Sequence, residues 1–372
     1  MPQTVALIHF NHTKTDGKVS WADMGVSEAR PNYGDMLVCA SLLQHLDPEA
    51  STFRRAFGKL VDLPCDVALV RGSTYMHHNF DFQSASATLD SISAPIAIVG
   101  LGAQSPEHDP SFLDNNADAR NFIARLVEKT HSISVRGAFS AEVVTRLGGK
   151  DIRLTGCPSL FYSNALPQIT LPELLATSHR RLAVSLHSGL RQSIYCRDPQ
   201  SARLKHTLAL RYALDHASKA SFFEQGVKME FDIADHRLPF AVRMERAGEM
   251  LTRIYGNEVI SAEEMIAGMV SVRSIDEWLA KIRDVDAAIG FRFHGNMIAL
   301  LQGIPCYYWT YDSRLKEFCD LYRLPQADVS DEWSDPIAAI LGHDWDSANS
   351  AIAGCHAELR EYYSENSLPT VL

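Results

Sequence analysis

The sequence lacks several features that would each place it in a particular class of protein. Its 372 residues contain no apolar run approaching the roughly 18 residues that a membrane-spanning helix needs. The apolar run at the start, Val5–Ile8, is short and has no basic segment before it, so it does not resemble a signal peptide. These absences predict a cytoplasmic protein without a transmembrane segment.

Positive charge is also scarce, since 35 Lys and Arg residues stand against 45 Asp and Glu residues, for a formal net charge of −10. Proteins that bind nucleic acid present a basic face to the phosphate backbone. An acidic chain of ordinary apolar content therefore argues against a nucleic-acid partner. It does not exclude a local basic pocket.

Cysteine spacing excludes another group of functions. The chain has seven cysteines and no Cys-x-x-Cys pair, the spacing on which zinc ribbons and redox motifs depend. An odd number of dispersed thiols is typical of reduced, buried cysteines. His77 and His78 are adjacent, but no carboxylate stands at a ligand spacing beside them. We therefore expect neither a metal nor another cofactor.

Short apolar segments alternate with helix-like periods in the first half of the chain. The predicted strands are Thr4–Phe10, Asp66–Val70, Ile96–Gly100, Ser132–Val135 and Ile152–Thr155. The predicted helices are Met36–Leu46, Ala119–Lys129 and Ala138–Leu147. Alternation at this spacing indicates βαβ units and a parallel, doubly wound sheet.

The same alternation returns in the second half. The predicted strands are Leu182–Leu186, Lys228–Ile233, Ala287–Gly290 and Ile304–Trp309. The predicted helices are Leu204–Ala220, Phe240–Ile254, Ile275–Ile282, Arg314–Tyr322 and Asp346–Ser364. A chain of this length normally forms more than one domain, and the second half reads as a second α/β domain.

These patterns predict two Rossmann-like α/β domains that face each other across a cleft. The N-terminal domain is expected over residues 1–166 and the C-terminal domain over residues 179–345, with a Pro-, Thr- and Ser-containing linker between them. Residues 346–372 are expected to form a helix that packs back across both domains. Residues 11–31 make an unusually long connection after the first strand, which is typical of a functional lid.

The stretch Gly290–Gly295 is the most informative motif. An apolar strand ends at Gly290, and Arg292 and His294 follow it just before a helix-like run. Ligands of α/β proteins bind at the carboxyl ends of strands, and a helix N-terminus favours anions. Arg292 and His294 there suit a small anionic substrate that needs charge neutralisation and a proton donor. Alternatively, both side chains only pack the strand–helix turn.

Two further motifs repeat this arrangement of polar residues at the start of a helix. Arg136 follows the strand Ser132–Val135, so it and Arg292 could clamp one polyanion from the two domains. Asn32 and Asp35 precede the first helix, where they either cap it or orient a ligand. For Arg136, the alternative to ligand binding is a purely structural salt bridge to a neighbouring helix.

Three more residues stand at predicted strand ends. Gln104 follows a Gly-x-Gly turn that lacks the third glycine of the dinucleotide fingerprint, so the turn is a weak signal for a nucleotide. We expect the glycines to let this turn pass close to the site, with Gln104 pointing into it. His187 follows the strand Leu182–Leu186. Arg314 lies in the first turn of a helix capped by Asp312 or Ser313, where a basic residue is disfavoured unless an anion binds nearby. Alternatively, Arg314 belongs to a solvated face of that helix.

Taken in order, these motifs resemble the polysaccharide pyruvyl transferase family. The likeness rests on the following segments: Asn-x-Gly-Asp at 32–35, Gly-x-Gly-Ala-Gln at 100–104, Ser-Val-Arg at 134–136, Thr-Gly-Cys-Pro-Ser-Leu at 155–160, Gly-x-Arg-x-His-Gly at 290–295, Gly-Ile-Pro at 303–305 and Tyr-Asp-x-Arg at 311–314. The resemblance implies a fold like the two-domain GT-B glycosyltransferases. It also implies transfer of a pyruvyl group from phosphoenolpyruvate to sugar hydroxyls, which forms a ketal and releases phosphate.

The resemblance implies that Arg136, Arg292 and His294 belong to the donor site. Arg314 would add positive charge toward the carboxylate and phosphate of phosphoenolpyruvate. His294 is the expected general acid, because an imidazole can donate and accept a proton near neutral pH. Asp35 is the candidate for orienting or deprotonating the acceptor, a saccharide that is either free or lipid-linked.

Two other functions remain open at this point. A GT-B glycosyltransferase that uses a nucleotide sugar would place the same arginines on a diphosphate. It would also need a carboxylate for the ribose near the second-domain strand ends, and none is evident in the sequence. A catalytically silent sugar- or phosphate-binding protein would retain its ligand affinity without His294.

Overall fold

The computed structural model describes residues 2–10, 33–57, 64–255 and 260–372, which form two compact units. Unit 1 contains the described residues of 2–10 and 37–166 together with 350–372. Unit 2 contains residues 33–36 and the described residues of 167–349. The predicted long connection at 11–31 and the candidate Asn32 lie outside the described residues. No helix among the described residues is both long and apolar enough to cross a bilayer.

Unit 1 is built on a parallel sheet. Its strands are β1 (Gln3–His9), β2 (Ser51–Phe57), β3 (Val67–Arg71), β4 (Thr74–Met76), β5 (Ile96–Ala103), β6 (Thr130–Val135) and β7 (Ile152–Leu154). They lie in the order β2-β1-β3-β5-β6-β7, and β4 pairs with β5. Because β3 and β5 are fully buried and apolar except for Arg71 at the end of β3, helices must cover both sides. The predicted parallel α/β sheet is confirmed.

Four helices and two short 3₁₀ turns accompany this sheet. The helices are α1 (Tyr33–His45), α2 (Phe82–Asp90), α3 (Ala117–Lys129) and α4 (Ala138–Arg146), and the 3₁₀ turns are Pro110–Leu113 and Pro158–Phe161. Asn116 caps α3 by accepting a hydrogen bond from the backbone of Ala119 at 2.9 Å. Its apolar residues recur every three or four positions, so one stripe of α3 is buried in the core of unit 1.

The C-terminal helix completes unit 1. In chain order it is the last helix, Trp345–Glu365, and its residues from Ser350 onward belong to this unit. The buried Tyr362 hydroxyl accepts a hydrogen bond from the backbone N–H of Ile98 at 3.0 Å and donates one to its carbonyl at 2.7 Å. Arg153, on the edge strand β7, forms ion pairs with three glutamates of the same helix. The helix thus contributes both a buried and an exposed contact to the sheet.

Unit 2 contains a second parallel sheet. Its strands are β8 (Arg181–Ser185), β9 (Lys219–Phe223), β10 (Met269–Val270), β11 (Ala287–Gly290), β12 (Cys306–Thr310) and β13 (Gln326–Asp328), in the order β10-β9-β8-β11-β12-β13. In this register Gly290 pairs with Ser185 on one side and with Tyr308 on the other. The segments that follow β8, β11 and β12 therefore leave the same edge of the sheet.

The helices of unit 2 connect these strands. In chain order they are α5 (Pro199–His216), α6 (Lys228–Ala234), α7 (Phe240–Met250), α8 (Ala262–Gly268), α9 (Ile275–Ile282), α10 (Phe293–Leu300), α11 (Ser313–Leu321), α12 (Pro336–Leu341) and the start of α13 (Trp345–Glu365). Further 3₁₀ turns lie at Glu173–Ala176 and Leu190–Gln192, and α7 continues into a π-helical turn, Leu251–Tyr255. Each parallel strand pair is thus joined through helices, as predicted.

One predicted strand of unit 2 is wrong. The segment Lys228–Ile233 alternates polar and apolar residues, which predicts a strand, but it forms α6. In this helix Lys228 pairs with Asp232 one turn later at 2.8 Å. Glu230 is fully buried, so the polar positions do not share a solvent-facing side. The strand of this region is β9 instead, and the predicted helix Leu204–Ala220 ends earlier, at His216.

Candidate functional site

The strand ends of unit 2 are held close together by a glycine. Gly290 has φ +153°, and a Cβ atom there would lie 2.1 Å from the Ser185 hydroxyl oxygen. Only glycine fits this position without displacing the backbone of the neighbouring strand. The chain after β11 can therefore turn directly over the end of β8, and it places Arg292 beside the residues that follow β8.

Arg292 stands between β11 and α10, and its side chain is only 12% exposed. Its Nε donates a hydrogen bond to the carbonyl of Leu186, and its Nη2 lies 3.3 Å from each carboxylate oxygen of Glu230. Nη1 makes no hydrogen bond or ion pair with the residues that the structure describes. One edge of the guanidinium is thus fixed by the protein, and another remains for a ligand.

Glu230 is a site residue that the sequence analysis missed. Its carboxylate is fully buried and accepts hydrogen bonds from the backbone N–H of Ser188 at 2.8 Å and from the Ser188 hydroxyl at 2.6 Å. The backbone N–H of Gln225 donates a third hydrogen bond at 3.3 Å. Because residues 228–233 were predicted to be a strand, nothing in the sequence indicated that a helix would bring this carboxylate to Arg292.

Tyr311 links two further predicted residues at this edge. Its hydroxyl lies 3.2 Å from Nε2 of His187 and accepts a hydrogen bond from Nη2 of Arg314 at 3.3 Å. Nδ1 of His187 and Nε of Arg314 are both buried, and neither has a hydrogen-bond partner among the described residues. A buried polar atom without a partner is costly in a folded protein, and such atoms often mark a ligand site.

The charges at this edge act on one another. Burial lowers the pKa of His187 well below its usual value, and Arg292 and Arg314 lower it further. Burial and Arg292 lower the pKa of the neighbouring His206 to about 3. Both imidazoles are therefore neutral near pH 7. The positively charged groups at this edge are Arg292, which lies 3.3 Å from Glu230, and Arg314, which lies 3.8 Å from the buried Asp312.

His294 lies in the first turn of α10, next to the start of α1. A Cβ atom on Gly34 would lie 2.3 Å from Nδ1 of His294 and 3.2 Å from Nε2 of Gln225. The backbone at Gly34 therefore passes directly over the imidazole, and Gln225 adjoins the same point. Asp35 lies in the first turn of α1, which is helical from Tyr33, so the expected cap position for Asp35 is wrong. It is close enough to Arg314 to raise that residue's pKa.

A second buried carboxylate lies behind this point. Glu224 follows β9 and accepts hydrogen bonds from the backbone N–H groups of Gly226 at 2.7 Å and Val272 at 3.2 Å. Burial raises its pKa to about 7, and Glu230 adds to the shift. Tyr33 is hydrogen-bonded to Glu224, and burial together with this acid raises the pKa of its hydroxyl. The start of α1 is thus tied to the end of β9.

Arg136 occupies the corresponding place in unit 1, between β6 and α4. Its Nε donates a hydrogen bond to the carbonyl of Gly100 at 3.0 Å, and its Nη2 lies 3.4 Å from the carbonyl of Gly72. Its Nη1 lies 3.4 Å from the Thr74 hydroxyl. A Cβ atom on Gly102 would come within 3.0 Å of the Arg136 side chain. The glycines therefore make room for this arginine.

The predicted Gly-rich turn before Gln104 is wrong, because β5 continues through both glycines to Ala103. Gly100 adopts φ +74° within the strand, where glycine is favoured. Gln104 is buried at the carboxyl end of β5, and its backbone N–H donates to the carbonyl of Met76 at 3.0 Å. The glycines thus shape the strand end beside Arg136 and do not form a phosphate-binding turn.

The predicted site residues divide between the units. In unit 2 the structure places Asp35, His187, Arg292, His294 and Arg314 at the carboxyl edge of the sheet. In unit 1 it places Gln104 and Arg136 at the carboxyl edge, and Asn32 lies outside the described residues. The sequence analysis missed Glu230 and Gln225, and gave no role to Tyr311. Tyr311 could have been found, since it belongs to the Tyr-Asp-x-Arg motif.

Comparison with known proteins identifies one family. The sequence model of the polysaccharide pyruvyl transferase family matches residues 32–313, about three quarters of the chain. A search of curated protein sequences finds no match to the chain.

Solved structures of sugar-nucleotide proteins overlap the chain at low similarity. A Listeria monocytogenes protein described as a UDP-N-acetylglucosamine 2-epimerase has a TM-score of 0.47 and 12% identity, covering 98% of each chain. Anabaena HepE in complex with UDP and glucose has a TM-score of 0.45 and 8% identity, covering 98% of this chain and 97% of HepE. The UDP-GlcNAc 2-epimerase of Methanocaldococcus jannaschii has a TM-score of 0.42 and 9% identity, covering 95% and 92%. Similarity at this level does not indicate the substrate of this protein.

Proposed function

Because the chain belongs to the polysaccharide pyruvyl transferase family, we propose that it transfers a pyruvyl group from phosphoenolpyruvate to two hydroxyls of a saccharide. The products are a pyruvate ketal and inorganic phosphate. The acceptor is a polysaccharide or its precursor, free or lipid-linked. In this proposal Arg292 and Arg314 bind the donor, His294 is the general acid and Asp35 serves the acceptor.

The observation that carries the proposal is the polar cluster at the carboxyl edge of the unit 2 sheet. Two arginines are held there in largely buried positions, and the Tyr311 hydroxyl contacts Arg314 and the neutral His187. Nδ1 of His187 and Nε of Arg314 have no partner among the described residues. Phosphoenolpyruvate has a carboxylate and a phosphate, so it offers acceptors for these donors.

The reaction requires a proton at one carbon and an alcohol at its neighbour. Protonation of the methylene carbon of phosphoenolpyruvate converts it to a methyl group and builds positive charge on the carbon that bears the phosphate. One sugar hydroxyl adds to that carbon and loses its proton. The second hydroxyl then displaces phosphate by breaking the carbon–oxygen bond. One hydroxyl proton balances the new methyl group, and the other leaves with phosphate.

His294 is the residue assigned to the first proton transfer. Its ring is buried against Gly34, so a short segment of α1 limits its movement. A general acid that is fixed in one orientation delivers its proton to one face of a planar double bond. Asp35 follows Gly34 directly, which supports a role close to the imidazole and to the incoming hydroxyl.

The other assigned residues stay predictions. Arg136 is proposed to bind phosphoenolpyruvate because its motif matches the family. Its guanidinium also donates to two carbonyls and one hydroxyl of unit 1. Gln104, His187 and Asn32 are proposed as substrate contacts. Among them, His187 has the strongest support, since its Nδ1 is buried without a partner among the described residues.

The donor can be tested without knowing the acceptor. Thermal unfolding is followed with phosphoenolpyruvate, with inorganic phosphate and with a panel of nucleotide sugars. A ligand at 100 times its dissociation constant stabilises a protein by about 2.7 kcal/mol. We expect phosphoenolpyruvate to stabilise the chain well beyond phosphate. The effect should be lost in Arg292→Ala and kept in Arg283→Ala, an exposed arginine of the same unit.

Two results would contradict the proposal. Stabilisation by a nucleotide sugar without stabilisation by phosphoenolpyruvate would indicate a glycosyltransferase. If His294→Ala supports phosphate release from phosphoenolpyruvate at the wild-type rate with a pool of saccharides, the imidazole is not the acid. We expect a loss of about 10²–10⁴-fold in that rate. His236→Ala, at an exposed histidine of unit 2, serves as the control.

A further inference from the structure

We propose that Glu230 is a positioning residue that holds Arg292 in the orientation required for donor binding. The inference rests on the proposed function, because it assigns a role to a residue behind the donor-binding arginine. No sequence motif indicates it. It follows from the buried hydrogen bonds that join α6 to the end of β11.

The first step of the argument is that Glu230 is itself rigidly held. Its side chain has no exposed surface, and the Ser188 backbone and hydroxyl donate hydrogen bonds of 2.8 and 2.6 Å to one carboxylate oxygen. The other oxygen accepts from the Gln225 backbone at 3.3 Å. A carboxylate with three donors from two backbone segments cannot rotate without breaking bonds that water cannot replace in a buried place.

The second step is that Glu230 touches only one part of Arg292. Both carboxylate oxygens lie 3.3 Å from Nη2, while the Leu186 carbonyl accepts from Nε. A close ion pair between a guanidinium and a carboxylate has N–O distances of about 2.7–2.9 Å, so this contact is long. Glu230 and the Leu186 carbonyl contact only Nη2 and Nε, so together they set the orientation of the guanidinium. Nη1 is left without a partner among the described residues.

The third step concerns what Arg292 would do alone. An arginine side chain has several rotatable bonds, and ordering it on a ligand costs conformational entropy. A site that pre-organises the side chain removes this cost from binding. Glu230 is fixed by other groups, so it can supply this order before the donor arrives. The Glu230→Gln change keeps an oxygen for Ser188 but turns N–H groups toward Arg292, which removes the orienting contact.

A double-mutant cycle tests this inference. Dissociation constants for phosphoenolpyruvate are measured by calorimetry in the wild type, Glu230→Gln, Arg292→Ala and the double variant. We expect Glu230→Gln to weaken binding about tenfold, and to have no further effect once Arg292 is absent. A residue that is only structural would weaken binding by the same factor in both backgrounds. Glu249→Gln, whose carboxylate pairs with the surface arginines Arg246 and Arg253, should change nothing.

The outcomes separate this inference from the proposed function. If Arg292→Ala weakens binding but Glu230→Gln does not, the positioning role is wrong and the donor role stands. If Arg292→Ala binds phosphoenolpyruvate like the wild type, the donor role of Arg292 fails and the inference fails with it. Tighter binding by Glu230→Gln would mean that Glu230 competes with the donor as an anion, which also overturns it. Arg292→Lys replaces Arg292→Ala if the latter does not fold.

Discussion

The two units present the same local sequence pattern in two different surroundings. In each, an arginine lies between the end of a parallel strand and the helix that follows it, Arg136 in unit 1 and Arg292 in unit 2. Arg136 is held by carbonyl and hydroxyl oxygens, which have no charge. Arg292 lies against a buried carboxylate, and at the same edge Nδ1 of His187 and Nε of Arg314 have no hydrogen-bond partner in the described part of the chain. A motif therefore places an arginine but does not decide what surrounds it.

The largest difference in unfolding free energy is expected between variants of the glycines at the carboxyl edges of the two sheets. In Gly290→Ala, the new Cβ atom would meet the Ser185 hydroxyl at 2.1 Å and the Ser185 carbonyl oxygen at 2.9 Å, at a φ of +153°. We expect this variant to lose more than about 4 kcal/mol of unfolding free energy or to fail to fold. In Gly102→Ala, the contact is with the flexible Arg136 side chain at 3.0 Å. About 1 kcal/mol is expected there by urea unfolding. If both variants lose the same unfolding free energy, the atoms that surround the new Cβ do not determine the destabilisation.

The second difference concerns charge. Replacing Arg292 by Met leaves Glu230 buried without its cation, which should cost about 3–5 kcal/mol of unfolding free energy. Replacing Arg136 by Met removes its hydrogen bonds to the carbonyls of Gly100 and Gly72 and to the Thr74 hydroxyl, and about 1–3 kcal/mol of unfolding free energy is expected there.

Chemical unfolding of four variants tests this comparison. Adding Glu230→Gln to Arg292→Met should restore part of the loss, because it removes the uncompensated charge. Adding Thr74→Val to Arg136→Met serves as the matched control and should restore much less. If Glu230→Gln restores nothing, the ion pair does not contribute to the stability of unit 2.

A third difference is that the carboxyl edge of unit 2 contains a buried carboxyl group, Glu224, that titrates near neutral pH. Glu224 has a folded-state pKa of about 7 against an ordinary value of 4.5, so the folded chain binds its proton more tightly than the unfolded chain does. Stability is therefore greatest below pH 4.5 for this group and falls as the pH rises toward 7, by up to about 3 kcal/mol. Glu224→Gln should remove this decline. It should gain stability relative to the wild type between pH 5 and pH 8.

Urea unfolding at the two pH values, with the exposed Glu263→Gln as control, measures that gain. Parallel stability profiles of wild type and Glu224→Gln would mean that the carboxylate titrates normally. A gain confined to the Glu224 variant would locate the pH dependence at the end of β9.

The smallest effect concerns the helices that follow the two edges. Asp312 caps α11 by accepting a hydrogen bond from the Leu315 backbone at 2.8 Å, whereas Gly137 offers α4 no side-chain cap. Gly137 has extended dihedral angles that serine adopts readily. Gly137→Ser should therefore stabilise unit 1 by a few tenths of a kcal/mol, seen as a slightly higher unfolding midpoint. Gly137→Ala, which adds a side chain without an acceptor, should not.

Much of the fold could be predicted from local patterns. The strand Ala287–Gly290 and the helix Ile275–Ile282 have the predicted bounds, since each combines a clear apolar period with end signals. The strand predicted at Lys228–Ile233 was wrong because the alternation of polar and apolar residues there is the pattern of a half-buried strand. A buried acid at one of its polar positions breaks the rule that polar residues of a strand face solvent. Local periodicity carries no information about such a burial.

The candidate site shows the same division. Arg292, His294 and Arg314 were predicted because strand ends and helix starts are readable in a sequence, and ligands bind there in α/β sheets. Glu230 and Gln225 were not, because they enter the site from helix α6 and the loop before it. The contact between Glu230 and Arg292 joins residues 62 positions apart, and the separation between Gln225 and Gly34 is greater still. No spacing rule connects such residues.

The sequence by itself determined which residues end the strands and begin the helices, because apolar period, glycine and capping residues act over a few neighbours. It also carried the motifs by which the family can be recognised. Only the tertiary structure decided which charges meet. The register of β8 and β11 and the burial of α6 brought a carboxylate to Arg292, whereas Arg136 donates to two carbonyls and a hydroxyl. The reason is physical: the strength of a charge interaction depends on distance and burial, and both are set by packing between segments that are remote in the chain.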